Sequence, residues 1–428
     1  MWNYQRRSGF RPLLASSQGG WGRVELTGAP YLFGVVFLMT LGALAVWWGG
    51  AVPAAHADGG APNLAYVVGG GKSGDQLVVL DIGQRSVAWS VALGSQPQAV
   101  VLSADGRFAY VPEAGANRVA IVDTSAHQVV GSMAVGSGPQ AIATDPSGGL
   151  HWLFVSNKTS NTLTVLDADT HRVRATLAVG QEPVGVAVAT STSGIRTPGN
   201  TSALEVYVAN RESRTLSVIT TNGLHTVATI ALPDAPCALT IPAAGGIAYV
   251  ATCSGKVLAV GLASHQVLGV LLSDLGGDPG LMDYDAVTGQ LYVPVPEKDH
   301  VVILRPAVIR ADGSLLAPVE PLRTLTFSGA PSAVAITFDG VLGFVAGSGG
   351  GQVVEMDVAT RQTLSTVSVG GAPRAIVTGP YPPALNRQTA NILTTLVYVA
   401  FALALAIFAA LMIRNTVRDN IKRSRRTS

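Results

Sequence analysis

Between residues 64 and 378 of this 428-residue chain, a Tyr or Phe followed directly by Val recurs seven times. Successive pairs lie 44, 44, 53, 42, 43 and 52 residues apart. The pairs begin at Tyr66, Tyr110, Phe154, Tyr207, Tyr249, Tyr292 and Phe344. A period of about 40–50 residues is typical of propellers and solenoids, in which one repeat cannot bury its own apolar faces. The chain is therefore predicted to be built from seven equivalent units.

Each unit reads as four short β-strands. Seven prolines keep step with the aromatic pairs, at Pro97, Pro139, Pro183, Pro236, Pro279, Pro331 and Pro373. Between Pro97 and Gly136, turn sequences such as Asp105-Gly106 separate four β-rich runs, and Asp-Gly between apolar runs favours a hairpin. Four antiparallel strands repeated seven times predict an all-β fold, the seven-bladed β-propeller.

The best-formed repeat, residues 153–188, resembles the YVTN family of β-propeller repeats found in microbial surface proteins. The resemblance spans residues 64–378 and rests on the aromatic-Val pair, a following Asn157 or Asn210, the Val-x-Val-Leu/Ile-Asp strand and the Gly-x-x-Pro turn. Later units replace the Asn, by Thr252 for example. The resemblance implies a propeller and a surface location. Similar propellers include lactone hydrolases and oxidoreductases that use haem or a quinone.

The order of strands predicts how the ring closes. The first unit begins at Leu64–Val68, which matches the second strand of a blade, and the last ends at Arg374–Thr378, which matches an innermost strand. We therefore expect the C-terminal strand to complete the N-terminal blade, since this pairing removes two free sheet edges. Both chain ends then leave from the bottom face, where the long connections 191–204 and 305–321 also lie.

Two uncharged apolar segments flank the propeller at residues 31–52 and 390–413. Each is long enough to cross about 30 Å of hydrocarbon as a helix. The predicted organisation is a basic tail (1–30), a transmembrane helix (31–52), a linker (53–63), the propeller (64–378), a Pro-rich linker (379–389), a second transmembrane helix (390–413) and a basic tail (414–428). Ala55-His56-Ala57 leaves one alternative open, in which the first apolar segment is a signal peptide cleaved after Ala57.

The distribution of charged residues predicts how the chain is oriented in the cell membrane. Residues 1–30 hold four arginines and one glutamate, and residues 414–428 hold six basic residues and one aspartate. The residues between them include 18 basic and 24 acidic side chains. Because basic flanks stay in the cytoplasm, both termini are predicted inside and the propeller outside. The excess of acidic residues between the two tails argues against a surface that binds nucleic acid.

The sequence offers little for catalysis. Cys237 and Cys253 flank a hairpin turn, and a disulfide is favoured over two buried thiols in an oxidising compartment. His127, His171, His225 and His265 recur at related turn positions and are interpreted as turn residues. Asp283 and Asp285 resemble a carboxylate pair, but both are predicted to serve a bottom-face turn. We predict no catalytic residue, no metal site and no cofactor.

The upper mouth of the central channel is the predicted binding surface. Its rim is formed by the residues after the seven prolines, with charged loop residues around it. The candidate binding residues are Gln98, Gln140, Arg118, Lys158, Arg211 and Arg374. This polar rim has no convergent acid-base set, which favours binding over bond breaking. A membrane-anchored extracytoplasmic module for a protein or glycan partner is therefore the leading prediction, with an enzyme or a structural cell-surface array as alternatives.

Overall fold

The computed structural model describes residues 64–71, 74–145, 151–190, 204–242, 246–310, 315–316 and 321–379. These residues form seven four-stranded antiparallel sheets, here called blades 1 to 7, and one short 3-10 turn at Pro296–Lys298. The predicted seven-bladed propeller is confirmed. The predicted membrane segments 31–52 and 390–413 lie outside the described residues, and no helix within those residues is long and apolar enough to cross a membrane.

Blades 1 to 4 are given from the innermost strand outwards. Blade 1 contains β28 (Ala372–Thr378), β1 (Leu64–Gly71), β2 (Gly74–Asp81) and β3 (Ser86–Ala92). Blade 2 contains β4 (Val101–Leu102), β5 (Phe108–Glu113), β6 (Arg118–Asp123) and β7 (Gln128–Ala134). Blade 3 contains β8 (Pro139–Thr144), β9 (Trp152–Asn157), β10 (Thr162–Asp167) and β11 (Arg172–Ala178). Blade 4 contains β12 (Pro183–Thr190), β13 (Leu204–Asn210), β14 (Thr215–Thr220) and β15 (His225–Ala231).

Blades 5 to 7 follow the same order. Blade 5 contains β16 (Pro236–Thr240), β17 (Ile247–Thr252), β18 (Val257–Gly261) and β19 (Gln266–Leu272). Blade 6 contains β20 (Asp283–Tyr284), β21 (Leu291–Val295), β22 (His300–Leu304) and β23 (Arg323–Thr326). Blade 7 contains β24 (Pro331–Ile336), β25 (Leu342–Gly347), β26 (Gln352–Asp357) and β27 (Thr363–Ser368).

The first and last described strands close the ring, as the sequence predicts. Strand β28 pairs antiparallel with β1, with Val67 opposite Ile376. Just beyond this pairing, the Gly379 N–H donates to the Leu64 carbonyl over 2.8 Å. The two ends of the propeller therefore leave side by side, at the face that also carries the hairpins between first and second strands. We call this the bottom face and the opposite one the top face.

The hydrophobic core lies between the blades. Second and third strands are buried on both of their faces, as in β9, because each blade packs its two faces against two neighbours. Fourth strands form the outer edge and alternate between exposed and half-buried residues, as in β11. The repeated aromatic side chains Tyr66, Tyr110, Phe154, Tyr207 and Tyr292 are almost fully buried. Their spacing in the sequence thus marks the core position of each blade.

In six of the seven blades, the described turn between the third and fourth strands contains a non-glycine residue in the left-handed region. The residues with positive φ at this place are Arg85, His127, His171, Leu224, His265 and Arg361. His225, which the sequence places at a related turn position, begins β15, and Leu224 takes the left-handed position in that turn. The side chains also reach the preceding blade. His127 stacks on Trp89 at 4.4 Å, and the Arg85 Nε lies 3.2 Å from the Glu355 carboxylate.

Blades 6 and 7 are joined by hydrogen bonds between their inner segments. The Leu281 N–H donates to the Ser332 carbonyl over 2.8 Å, and the Val334 N–H donates to the Leu281 carbonyl over 3.0 Å. This approach leaves no room for a side chain at Gly280, where a Cβ would collide with the Ser332 carbonyl oxygen and press on Pro294. Glycine at position 280 is therefore a packing requirement.

We expect Gly280→Ala to lower the free energy of unfolding by about 1–3 kcal/mol, because the added methyl group overpacks the seam between blades 6 and 7. Gly246→Ala is the matched control, since a Cβ there meets nothing within 4 Å. Urea unfolding of the full-length protein measures both. Equal stability of the two variants would contradict this account of the seam.

Candidate functional site at the channel mouth

The seven prolines shape the top of the inner strands. Several are preceded by a residue in the left-handed region, as at Gln96, Gly138, Glu182 and Ala330. Immediately after the proline, the register of the inner strand shifts against its partner. Five residues lie at these shifts, namely Gln140, Val184, Cys237, Ser332 and Arg374. A β-bulge redirects a side chain out of the regular alternation, so these residues are presented at the mouth of the channel.

The top loops are held to one another across the blades. The Asn117 amide oxygen accepts the N–H of Gly138, and the Asn161 amide oxygen accepts the N–H of Glu182, both over 2.9 Å. Carboxylates make the same contact elsewhere, as Asp299 does with the N–H of Ala330 over 2.7 Å. Each bond ties the top hairpin of one blade to the proline turn of the next. The mouth therefore sits on a cross-braced rim.

The mouth is polar on one side and largely apolar on the other. Around the ring from blade 7 to blade 3, the residues after the prolines are Ser332, Arg374, Gln98 and Gln140. From blade 4 to blade 6 they are Val184, Cys237 and Gly280. The Gln140 Nε2 donates to the Gln98 Oε1 over 3.3 Å, which joins two of the predicted site residues directly. We call the first four residues the polar arc.

Arg374 is the charged member of the polar arc. It is exposed on the bulge of β28, and no ion pair is formed by its guanidinium among the described residues. Ser332, next to it around the ring, is held in place because its hydroxyl donates to the Pro373 carbonyl over 2.7 Å. A guanidinium offers five N–H donors in a planar fork that matches a carboxylate.

Two other predicted site residues are engaged in ion pairs. The Arg118 Nε lies 2.5 Å from Oε2 of Glu113, whose fully buried carboxylate also accepts the Gly94 N–H over 2.6 Å. The Lys158 Nζ lies 3.6 Å from the Glu182 carboxylate in the next blade. These contacts brace the rim.

Arg211 follows β13 in a top loop. Its backbone N–H donates to the Glu182 carbonyl over 2.9 Å. The structure thus brings Gln98 and Gln140 into contact, leaves Arg374 exposed at the same mouth, and places Arg118, Lys158 and Arg211 in the surrounding loops.

Cys237 and Cys253 form a disulfide in the structure, with their Cα atoms 5.1 Å apart. Cys237 lies on the bulge of β16 and Cys253 directly follows β17. The bond therefore ties the apolar side of the mouth to the adjacent top loop of blade 5. The Cys253 N–H also donates to the Ala235 carbonyl over 2.9 Å, which holds the same hairpin end together.

Below the mouth, the inner strands enclose a channel with a cavity of about 380 Å³. Its described lining is mostly apolar, and Asp283 is the one ionisable side chain in it. The predicted turn role of Asp283 is wrong, because Asp283 is in the inner strand β20, where its Oδ2 accepts the Ile336 N–H of blade 7 over 2.8 Å. Asp285 does serve the turn, accepting hydrogen bonds from the Val287 N–H and the Thr288 hydroxyl.

Burial raises the pKa of Asp283 from 3.8 to about 6, against the lowering effect of the Ile336 hydrogen bond. Between about pH 4 and pH 6 the folded protein therefore holds a proton that the unfolded chain has released. Its contribution to the free energy of unfolding is fully present below about pH 4 and is lost as the pH rises through 6. A shift of this size corresponds to roughly 2–3 kcal/mol.

We expect Asp283→Asn to be more stable than the parent protein above pH 6 and to lose that advantage near pH 4. The amide oxygen of Asn can still accept the Ile336 N–H, so the comparison isolates the charge. Urea unfolding of both proteins between pH 4 and pH 8 gives the difference in their free energies of unfolding at each pH. Titratable groups that both proteins share contribute equally to the two values and cancel in this difference. A difference that does not vary with pH would refute the burial of this charge.

The described residues contain no cluster of three or more His, Cys, Asp or Glu side chains arranged to hold a metal ion. His151 pairs with Asp169, its Nδ1 lying 2.9 Å from the carboxylate oxygens. That hydrogen bond raises the pKa of His151. His300 begins β22 at the top hairpin of blade 6.

Asp283, which is partly buried, and Glu113, which is fully buried, are two charged residues whose positions the sequence did not reveal. Glu113 could have been found, because it occupies in blade 2 the position of Asn157 and Asn210, which also end second strands and are fully buried. Asp283 carries a weaker signal. It pairs with Tyr292 as Ala335 pairs with Phe344, so the repeat alignment places a carboxylate where other blades have small or apolar residues.

Comparison with known proteins supports the fold. The sequence profile of the YNCE-like β-propeller family matches residues 63–197, and no curated protein matches the chain. A structure of a functionally unknown protein from Desulfotomaculum acetoxidans is similar with a TM-score of 0.62 and 12% identity, covering 75% of this chain and 99% of that one.

Two enzyme structures are also similar. Hydrazine synthase from Kuenenia stuttgartiensis has a TM-score of 0.55 and 19% identity over 66% of this chain and 90% of that one. The dihydro-heme d1 dehydrogenase NirN, solved in complex with DHE, has a TM-score of 0.50 and 16% identity over 74% of this chain and 75% of that one. At these identities the likeness shows the fold alone. The partial family match and the seven-bladed fold confirm the expected resemblance to YVTN-type propellers.

Proposed function

We propose that this protein is a membrane-anchored extracytoplasmic β-propeller that binds a protein or glycan partner at its channel mouth. The observation that carries the proposal is the polar arc, where an exposed arginine that forms no ion pair with any described residue stands beside a hydrogen-bonded pair of glutamines on a braced rim. Amide and guanidinium groups together suit a partner that presents a carboxylate with neighbouring hydroxyl or amide groups.

The shape of the mouth favours recognition over chemistry. Its polar groups lie on one side and its apolar residues on the other, so a ligand would be bound in one orientation. The neighbouring cations Arg118 and Lys158 are paired with carboxylates and serve the rim. Functional residues carried by loops on a rigid scaffold are the usual arrangement of a binding surface.

Membrane anchoring rests on the two uncharged segments and on the exit of both propeller ends at the bottom face. Because Leu64 and Gly379 are hydrogen-bonded neighbours, short linkers on both sides would lead to the same patch of membrane. The top face would then point away from the membrane. The basic residues in both tails favour a cytoplasmic location for them, and a disulfide at Cys237 and Cys253 suits an oxidising compartment.

We expect Arg374→Ala to weaken capture of the partner by at least about tenfold, since a charge-assisted hydrogen bond contributes about 1.5–3 kcal/mol. Gln140→Ala should weaken it by less, because a neutral hydrogen bond contributes about 1 kcal/mol. The measurement is affinity purification of the full-length protein from its native membrane, with quantification of each co-purified protein and glycan.

Arg172→Ala is the matched control, because Arg172 is an exposed arginine at the start of the outer strand β11, away from the mouth. A genuine partner is retained by Arg172→Ala and lost with Arg374→Ala. A partner that binds all three variants equally would refute the mouth as the recognition site.

The topology is tested with single cysteines, since both native cysteines are in the disulfide. We expect Ser137→Cys, on the exposed top face, to react with a membrane-impermeant maleimide in intact cells. Ser424→Cys, in the basic C-terminal tail, should react only after the membrane is permeabilised, because the positive charges keep that tail inside. Labelling at position 424 in intact cells would contradict the proposed orientation.

A further inference from the structure

One position in the fourth strand decides what fills the outer groove between neighbouring blades. The strand registers place seven residues there, one for each blade. From blade 1 to blade 7 they are Trp89, Gly131, Ala175, Ala228, Gly269, Arg323 and Ser365. Two of them are glycines, and their surroundings differ.

The groove between blades 1 and 2 is filled by an indole. Trp89 lies flat on the ring of His127, with the ring centroids 4.4 Å apart and the planes 15° from parallel. The edge of Tyr66 meets the same indole at 6.3 Å. In this groove, His127 in the left-handed turn of blade 2 provides a stacking surface, and Tyr66 in the second strand of blade 1 provides a wall.

The groove between blades 5 and 6 is filled from the long connection after β22. A Cβ at Gly269 would lie 3.2 Å from the Leu315 side chain, and Leu315 itself is 5% exposed. In the same connection, the Ala307 N–H donates to the Tyr249 hydroxyl over 3.0 Å. The glycine of blade 5 is therefore covered by another part of the chain.

The groove between blades 2 and 3 holds a cavity of about 430 Å³. At Gly131 a Cβ would contact only Ile121 of its own blade. Tyr110 and His171, which correspond to Tyr66 and His127, both line the cavity. His171 meets the edge of Phe108 at 6.0 Å, and no ring is stacked flat on it within the described part of the chain.

The walls and rim of this cavity favour a cation. Its aromatic walls include Phe108 and Trp152, and the protein's own guanidinium groups already lie over both rings, Arg107 at 5.1 Å from Phe108 and Arg174 at 4.3 Å from Trp152. Such contacts show that the rings attract positive charge.

The rim carries three carboxylates, Asp105, Asp145 and Asp169, together with the Arg107 guanidinium and His151, whose Nδ1 pairs with Asp169. Partial burial acts against ionisation of Asp105, but hydrogen bonds from the Ser103 hydroxyl and the Arg107 N–H prevail and lower its pKa. Asp105 is therefore negatively charged at neutral pH.

We propose that the groove between blades 2 and 3 is a binding site for an arylalkylamine, whose planar ring stacks on His171 as Trp89 stacks on His127 and whose ammonium group meets the Asp105 side of the rim. The volume lies within the range of small-ligand sites. This site is on the bottom face, so the proposal does not depend on the proposed binding role of the channel mouth.

A second groove of the same type supports the assignment by contrast. The cavity between blades 7 and 1 has a volume of about 320 Å³ and is lined by Arg85, Glu355, Asp339 and Asp357 among others, with no aromatic residue. There Arg85 pairs with Glu355. Of these two cavities, the one between blades 2 and 3 has the aromatic walls.

Isothermal titration calorimetry of the full-length protein with tryptamine tests the proposal, with indole-3-acetate as the probe of opposite charge. We expect saturable binding of tryptamine at one site and binding of indole-3-acetate at least about tenfold weaker. His171→Ala should weaken tryptamine binding about tenfold, because an aromatic stack contributes about 0.5–1.5 kcal/mol. Gly131→Trp should abolish it by recreating the packing of blade 1.

His265→Ala is the matched control, since His265 holds the same left-handed turn position in blade 5 and should leave tryptamine binding unchanged. Thermal unfolding identifies any variant that does not fold, and His171→Ala then decides the result if Gly131→Trp fails. Absence of tryptamine binding by the parent protein, equal affinity for both indoles, or undiminished binding by folded Gly131→Trp would each overturn the proposal.

Discussion

The antiparallel pairing of β1 with β28 is the contact on which the architecture depends. Seven blades pack face to face only when the ring is closed, and an open array would expose the edge strand of an incomplete first blade. The last strand supplies the inner edge of that blade, with Val67 opposite Ile376. The same pairing brings the two ends of the propeller together at Leu64 and Gly379. Closure therefore also determines which face is free for recognition.

Within the closed ring, the blades share a backbone and differ in how they are joined. The top hairpins are braced by side chains such as Asn117 and Asn161, which accept N–H groups from the next proline turn. The bottom grooves vary more. Trp89 with His127, and Glu355 with Arg85, fill or bridge two of them, while Gly131 leaves another open. A repeat fold can in this way carry a local site without any change in its overall geometry, because each groove involves only two blades.

The charged side chains also fall into two groups, those that hold the blades together and those that are exposed to solvent. Glu113 is buried with two N–H partners and holds Arg118 against the rim. Asp283 takes the place of a backbone acceptor for the Ile336 N–H at the seam of blades 6 and 7. Arg374, in contrast, lies on a bulge outside the regular ladder of strand pairs. The bulge after the proline leaves Arg374 exposed, whereas the bulge residues Ser332 and Cys237 are held by a hydrogen bond and by the disulfide.

The sequence by itself determined the number of blades, the strand that closes the ring and the residues that face the channel mouth. These follow from periodicity, because the aromatic-Val pair and the proline mark the same core and turn positions in every repeat. Only the tertiary structure decided the role of each side chain at those positions. Whether Arg118 is paired and Arg374 exposed, or whether a glycine such as Gly131 or Gly269 is covered, depends on contacts between residues of different blades. Such contacts depend on distances in space between residues of different repeats. The sequence of one repeat does not show which residues of the next repeat it will contact.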